Sequence, residues 1–215
     1  MRQMIKINEI FYSIQGESSY AGFPTVFVRT SGCNLRCGYC DTTYAYYSGK
    51  LMSEDEIVAE VSKYGARYVC VTGGEPLLQK NIPALLTRLC DLGFKVSLET
   101  SGSLDCGVVD PRVKKIIDVK TPGSGEGDSF LEANLRFADV NTEFKFVICS
   151  EEDFTWAENF SKKHGLFERS LVLYSPAYRR VSENWLAKKI LSENSSARLQ
   201  LQLHKYIWSP HSRGV

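Results

Sequence analysis

Thr25-Val-Phe-Val-Arg-Thr-Ser-Gly-Cys33-Asn-Leu-Arg-Cys37-Gly-Tyr-Cys40 runs from a β-branched apolar stretch directly into a loop that carries three cysteines. The first half reads as a strand buried on both faces, the kind a parallel sheet requires. Outward from it, an extended segment at 5–12 precedes it, and further β-like runs follow at 68–72, 95–100, 116–120, 143–149 and 170–174. Helical patterns with readable ends lie between them. Ser53-Glu-Asp-Glu56 is a capping box, and Gly65 is placed to stop the helix it opens. A second helix is expected over 81–92, with Pro83 in its first turn and Gly93 just beyond it. Ser150 with Asp153 opens a third that Gly165 closes, and Ser182 caps a fourth carrying Trp185, Leu186 and Ile190 on one side. Strand–helix alternation of this kind predicts an α/β fold with a parallel sheet and right-handed crossovers. A closed eight-stranded barrel takes about 250 residues. The chain has 215, so a partial, open TIM-like barrel of about six parallel β/α units fits better, as a single domain over 1–215.

The unusual residues gather after the β-runs. Cys33–Cys40 follows the first, Gly73-Gly-Glu-Pro76 the second, Glu99-Thr-Ser-Gly102 the third, Lys120-Thr-Pro122 the fourth and Ser175-Pro-Ala-Tyr178 the sixth. Loops at the carboxyl ends of parallel strands converge, so five such loops predict one site. The spacing C-x3-C-x2-C puts three thiolates on one tight loop, enough for three corners of a four-iron, four-sulfur cluster. Cluster ligation normally takes four cysteines, so the missing fourth implies an iron open to another ligand. A structural zinc site would be closed by four ligands, usually as two pairs. Here His164, His204 and His211 are the available fourth ligands, and all lie far along the chain. Of the other cysteines, Cys70, Cys90 and Cys149 read as small hydrophobes on strands and a helix, while Cys106 lies in a loop and stays open as a ligand.

Bulk properties narrow the class. The chain is 43% hydrophobic and 24% charged with net charge +1, which leaves no basic field for nucleic acid or an acidic membrane surface. No apolar run is long enough for a membrane span or a signal peptide. Seven cysteines, three of them within eight residues, do not form a disulfide framework, and a reducing cytoplasm is expected.

C-x3-C-x2-C resembles the motif of the radical S-adenosylmethionine (SAM) superfamily, and Gly73-Gly-Glu-Pro76 resembles its GGEP turn. Glycines there let backbone approach a ligand closely, and an acidic group complements an ammonium. Ile14-Gln-Gly-Glu17, Arg29, Cys40-Asp-Thr42, Glu99-Thr-Ser-Gly102, Asp118-Val-Lys-Thr-Pro122 and Leu203-His-Lys-Tyr206 extend the resemblance over essentially the whole chain. Together they resemble the 7-carboxy-7-deazaguanine synthase family of the queuosine and deazapurine pathway. The resemblance implies a radical SAM core and a lyase reaction. In it 6-carboxy-5,6,7,8-tetrahydropterin becomes 7-carboxy-7-deazaguanine, ammonia is released, and a 5′-deoxyadenosyl radical made from SAM starts the ring contraction. It implies a [4Fe-4S] cluster on Cys33, Cys37 and Cys40, with SAM and Mg2+ as further cofactors. SAM contacts are implied at Tyr39, Cys40, Asp41, Gly73, Gly74, Glu75, Gly102, Glu143, Phe144, Lys145, Ser175, Pro176, Ala177 and Tyr178. Substrate contacts are implied at Ile14, Gln15, Gly16, Arg29, Thr100 and Val215, and a Mg2+ ligand at Thr42. A guanidinium suits a carboxylated substrate because it can bind it bidentately. Mg2+ keeps waters and shares ligands with substrate, so one hydroxyl from the protein is enough.

The family also implies a homodimer and an electron donor of flavodoxin or ferredoxin type. This chain has no insertion between its first two cysteines, and its 105–114 stretch is short, which is expected to thin the helical layer and expose an edge there. Two other readings compete: a glycyl-radical activase acting on a protein, and a zinc or cluster-bearing nucleic-acid binder. An activase has no use for Gln15, Arg29 and Thr42 beside the cluster, and net charge +1 speaks against nucleic acid.

Overall fold

In the computed structural model, residues 4–209 and 212–215 are described; His211, one of the histidines considered as a fourth ligand, lies outside them. A nine-stranded sheet forms the frame. Its strands are β1 (Met4–Ile14), β2 (Pro24–Thr30), β3 (Lys50–Ser53), β4 (Tyr68–Gly73), β5 (Lys95–Thr100), β6 (Lys114–Asp118), β7 (Thr142–Ile148), β8 (Leu171–Pro176) and β9 (Arg198–Leu199). Their order is β3-β1-β2-β4-β5-β6-β7-β8-β9, so the sheet is open, with β3 and β9 at its edges. β2 and β4 to β9 are parallel throughout. β1 runs antiparallel to both β2 and β3. The six expected parallel runs are all present. The four-residue β3 and two-residue β9 are too short to show a period-two pattern in the sequence.

The helices are α1 (Glu54–Ser62), α2 (Ile82–Asp91), α3 (Glu151–Lys163), α4 (Leu166–Arg169), α5 (Glu183–Ser192) and α6 (His204–Ile207). Ser53 and Glu56 make the reciprocal capping box at α1. Ser150 caps α3 and Ser182 caps α5 through their hydroxyls. Gly93 and Gly165 sit at positive φ just past α2 and α3, the left-handed positions that favour glycine.

Alternation along the strands divides the molecule. Val26, Val28, Val69, Val71, Val96 and Leu98 face α1 and α2 in one apolar cluster. Ile117, Val119, Phe144, Phe146, Ile148, Val172 and Tyr174 face α3 and α5 in a second. Side chains one step along each strand, among them Phe27, Arg29, Thr72, Glu99, Asp118 and Lys145, therefore face the concave side, where all of these line one cavity.

The four expected helices are present as α1, α2, α3 and α5, and the crossovers β5→β6 and β6→β7, where no helix is expected, contain only 3-10 turns, Cys106–Val108, Pro122–Ser124 and Glu132–Phe137. Gly102, Gly107 and Pro111 break the first crossover, and Pro122, Gly123, Gly125 and Gly127 the second. One expectation needs correction: the short 105–114 stretch exposes no sheet edge, because β5 and β6 are central in the sheet. It thins the outer layer instead and leaves Val108 and Leu92 exposed.

Candidate active site

The carboxyl ends of the parallel strands surround a cavity of about 870 Å³. Cys33, Cys37 and Cys40 all line it, half-buried and free, on the loop after β2. This loop is held from two sides. Glu75 N donates to Gly32 O (2.8 Å), and Gly38 N donates to Ser124 O (2.9 Å). The approach of the turn after β4 explains its glycines: a Cβ on Gly74 would lie 2.0 Å from Gly32 O and 2.8 Å from the Cys33 Cβ. Among the described residues no three His, Cys, Asp or Glu side chains converge on a single metal ion. A four-iron cluster takes one thiolate per iron, so a wider triangle of sulfurs is what it needs. Burial, foremost, pushes the Cys37 thiol up to about 11 and also raises Cys33. These thiols therefore stay protonated until a cation displaces the proton, as a metal ligand's proton is displaced.

Cys70 and Cys106 are fully buried and Cys90 lies on α2. Cys106 sits in the second apolar cluster with its amide donating to Asn134 Oδ1 (2.9 Å), away from the cavity, so it drops out as a ligand. Cys149, just past β7, does not line the cavity.

The predicted site residues divide on geometry. Tyr39, Asp41, Gly73, Gly74, Lys145, Ser175, Pro176, Ala177 and Tyr178 line the cavity with the cysteines; so do Ile14, Gln15, Gly16, Arg29, Thr42, Thr100 and Val215. The Tyr39 hydroxyl and Asp118 Oδ1 are buried and have no hydrogen-bond partner among the described residues. Buried polar atoms are normally paired, so both atoms fit a polar ligand in the cavity. Gly16 gives room to α6: a Cβ there would meet His204 Nδ1 at 2.2 Å.

Glu75, Gly102, Glu143 and Phe144 do not line the cavity. Glu75 turns inward and is fully buried. It accepts from Thr100 Oγ1 (2.8 Å), Ser101 N (2.7 Å), Ser101 Oγ (2.6 Å) and Leu77 N (3.0 Å), so its carboxylate ties the turn after β4 to the end of β5. Glu75→Gln replaces one acceptor by a donor facing these donors. It is expected to lower the melting temperature by about 4–8 °C, from ~2 kcal/mol for a broken buried network; an unchanged melting curve would contradict the bracing role. Gly102 has φ +68, and a Cβ there would meet Ile117 at 2.6 Å, so its need is conformational. Phe144 points into the second apolar cluster because β7 alternates, and Glu143 is one pleat deeper than Lys145. There Glu143 pairs with Lys114 (3.2 Å) and accepts from Ser19 N (3.1 Å).

Glu17, Asp118 and Lys120 also line the cavity but carry no role in the sequence reading. Lys145 Nζ lies 2.8 Å from Glu17 Oε2 and 3.2 Å from Asp118 Oδ2, which Lys120 Nζ also reaches at 3.0 Å. Burial opposes both charges of this network, but the paired partners outweigh it. Glu17 and Asp118 are held below the usual carboxylate range, and Lys145 well above the lysine range. Charged residues on the concave face of parallel strands, where apolar runs are the rule, are the signal that finds them. Gln202 joins this network to a further pair: it donates to Glu17 Oε1 (2.7 Å) and accepts from Lys205 Nζ (2.6 Å), which pairs with Asp41 Oδ2 (2.9 Å), while Thr42 Oγ1 donates to Asp41 Oδ1 (3.0 Å).

Residues 27–121 match the Radical SAM superfamily. The chain is 47% identical to 7-carboxy-7-deazaguanine synthase of Chlorobaculum tepidum, over 98% of this chain and 97% of that one. It is 44% identical to the enzyme of the same name from Koribacter versatilis, over 98% and 100%. Among solved structures, QueE from Escherichia coli superposes with a TM-score of 0.77 at 23% identity, covering 93% of this chain and 94% of that one. At that identity the superposition speaks for the fold.

Proposed function

The chain belongs to the 7-carboxy-7-deazaguanine synthase family of the radical SAM superfamily, and we propose that it is a carbon–nitrogen lyase that contracts 6-carboxy-5,6,7,8-tetrahydropterin to 7-carboxy-7-deazaguanine with release of ammonia. The observation that carries this reading is one cavity shared by Cys33, Cys37 and Cys40 and by Gln15, Arg29 and Lys145. A radical-generating group and a recognition surface for a small polar molecule thus face each other.

Cys33, Cys37 and Cys40 would hold the cluster, which when bound supplies an electron to SAM and so the radical chemistry of the superfamily. Tyr39, Gly73, Gly74 and residues 175–178 are the SAM-facing groups. Of the 143–145 segment only Lys145 lines the cavity. Ile14, Gln15, Gly16, Arg29 and Thr100 are the substrate-facing groups, with Val215 at the mouth. Gln15 is 2% exposed, and its Nε2 reaches Glu99 Oε1 at 3.4 Å, so its amide is pre-set against the cavity wall. Pre-set groups of this kind orient a substrate without further ordering cost.

Thr42 is assigned to Mg2+, and its hydroxyl donates to Asp41 Oδ1 (3.0 Å). Thr42→Ala is expected to raise the Mg2+ concentration for half-maximal activity several-fold while SAM binding by equilibrium dialysis stays unchanged; an unaltered Mg2+ response would remove the assignment. The family reading also includes residues 1–215 as one domain, a homodimer, a flavodoxin- or ferredoxin-type electron donor, and work in the cytoplasm. No helix of the described residues is long and apolar enough to cross a membrane.

The test is direct. Anaerobically reconstituted protein given SAM, Mg2+, reductant and the carboxytetrahydropterin should yield the deazaguanine chromophore and ammonia. 5′-Deoxyadenosine without that product would assign the chain a different radical reaction.

A further inference from the structure

Arg29 does not stand alone in the cavity wall. Its Nε donates to Glu9 Oε1 at 2.7 Å, and the Tyr44 hydroxyl donates to the same oxygen at 2.9 Å. The Arg29 guanidinium carbon lies 5.7 Å from the centre of the Phe11 ring and 5.9 Å from that of Tyr44. On Tyr44 the Arg213 guanidinium is stacked, 4.0 Å from the ring centre, and residues 212–215 line the cavity mouth. The Arg29–Glu9 pair is largely buried, with side chains 17% and 22% exposed.

This arrangement leaves Arg29 a specific edge. With Nε committed to Glu9, the two terminal NH2 groups remain to grip a carboxylate end-on. The grip is only as well aimed as Glu9, and Glu9 is fixed by a second donor, Tyr44.

We propose that Tyr44 is a positioning residue: through Glu9 it aims Arg29 at the substrate carboxylate, and through its ring it links that aim to the seating of the 212–215 segment. Arg213, Tyr44, Glu9 and Arg29 form one continuous relay from the mouth to the wall. The inference rests on the carboxypterin reading above, and its test separates the two.

The probes are 6-carboxypterin, the oxidised and unreactive relative of the substrate, and pterin without the carboxylate. Their binding to the reconstituted protein is followed by fluorescence anisotropy. The wild-type chain should prefer the carboxylated ligand. Tyr44→Phe keeps the ring and the Arg213 stack but removes the donor. It should cut that preference ~10-fold, the scale of one hydrogen bond to a charged group, while pterin binds as before. Arg213→Ala should cut the preference in the same direction, and Glu9→Gln combined with Tyr44→Phe should do little more than Glu9→Gln alone. Tyr44→Phe with an unchanged preference, or with equal loss for both ligands, overturns the relay while leaving the family reading intact. A wild-type chain that binds neither pterin counts against the family reading itself.

Discussion

Cys37→Ala protein reconstituted anaerobically with iron and sulfide should come out colourless, whereas Cys90→Ala protein should be brown and carry about four irons per chain. The difference follows from where the two thiols lie. Cys37 lines the cavity with Cys33 and Cys40 on a loop braced by Gly32 and Ser124, and no other cysteine reaches that cavity among the described residues. A cluster with three protein thiolates has no spare ligand, so removing one leaves two irons without protein ligands. Cys90 is a half-buried surface of α2 packed against the first apolar cluster, and its loss removes only packing. Iron and sulfide analysis with the visible spectrum decides the matter. A brown Cys37→Ala protein, or equal iron loss in both variants, would mean the ligands are assigned to the wrong thiols. Product formation should fall to background in Cys37→Ala, and 5′-deoxyadenosine with it.

The second large effect is expected at Lys145. Its ammonium is the cation shared by Glu17 and Asp118, with all three side chains under 20% exposed. Lys145→Met keeps the volume of the stem and removes the charge. Glu17 is then left with Gln202, whose Nε2 donates to Oε1 at 2.7 Å, while Asp118 keeps Lys120. Breaking a buried pair by removing one partner costs ~3–5 kcal/mol, about 6–20 °C in melting temperature for a chain of this size.

The sign with pH is fixed by the direction of the shifts. In the wild type Glu17 and Asp118 have lowered pKa values, so they stabilise above the ordinary carboxylate range and that contribution is lost as pH falls through the folded pKa. In Lys145→Met burial acts on Glu17 without its main cation and raises its pKa, so protonation relieves the fold. The stability deficit of the variant should therefore be larger at pH 7 than at pH 5, as measured by urea denaturation. Glu17→Gln combined with Lys145→Met should recover part of it. A deficit that grows on acidification, or a double variant worse than the sum of the singles, would exclude the ion network as the cause.

Much of the fold is legible in the chain because its signals are local. The β-runs, the capping box at Ser53, the serine caps at Ser150 and Ser182 and the glycine after α2 each act within a few residues. The absence of helices between β5 and β7 is equally legible, because Gly102, Gly107, Pro111 and Pro122 interrupt any helical pattern there. Candidate-site residues on loops after the strands were legible for the same topological reason: every such loop opens on one end of the sheet. The inward turn of Glu75 was not. Whether a carboxylate after a Gly-Gly turn faces a ligand or braces the next strand depends on Thr100 and Ser101, which are 25 and 26 residues away. The Phe144 side chain lies off the cavity for a simpler reason, since a three-residue strand segment cannot present all its side chains to one face.

The three cysteines that follow the first parallel strand were determined by the sequence alone, because C-x3-C-x2-C confines three thiols to one loop whatever the rest of the chain does. The sequence by itself also placed the Gly-Gly turn, the strand ends and, through long-range resemblance, the family. Only the tertiary structure decided which charges share a wall. Lys145 meets Glu17 across 128 residues and Lys205 meets Asp41 across 164. Arg213 reaches Tyr44 at the cavity mouth. No local pattern encodes such pairings; they exist because an open sheet brings distant strand ends and the last segment around one cavity, where burial makes each unpaired charge costly.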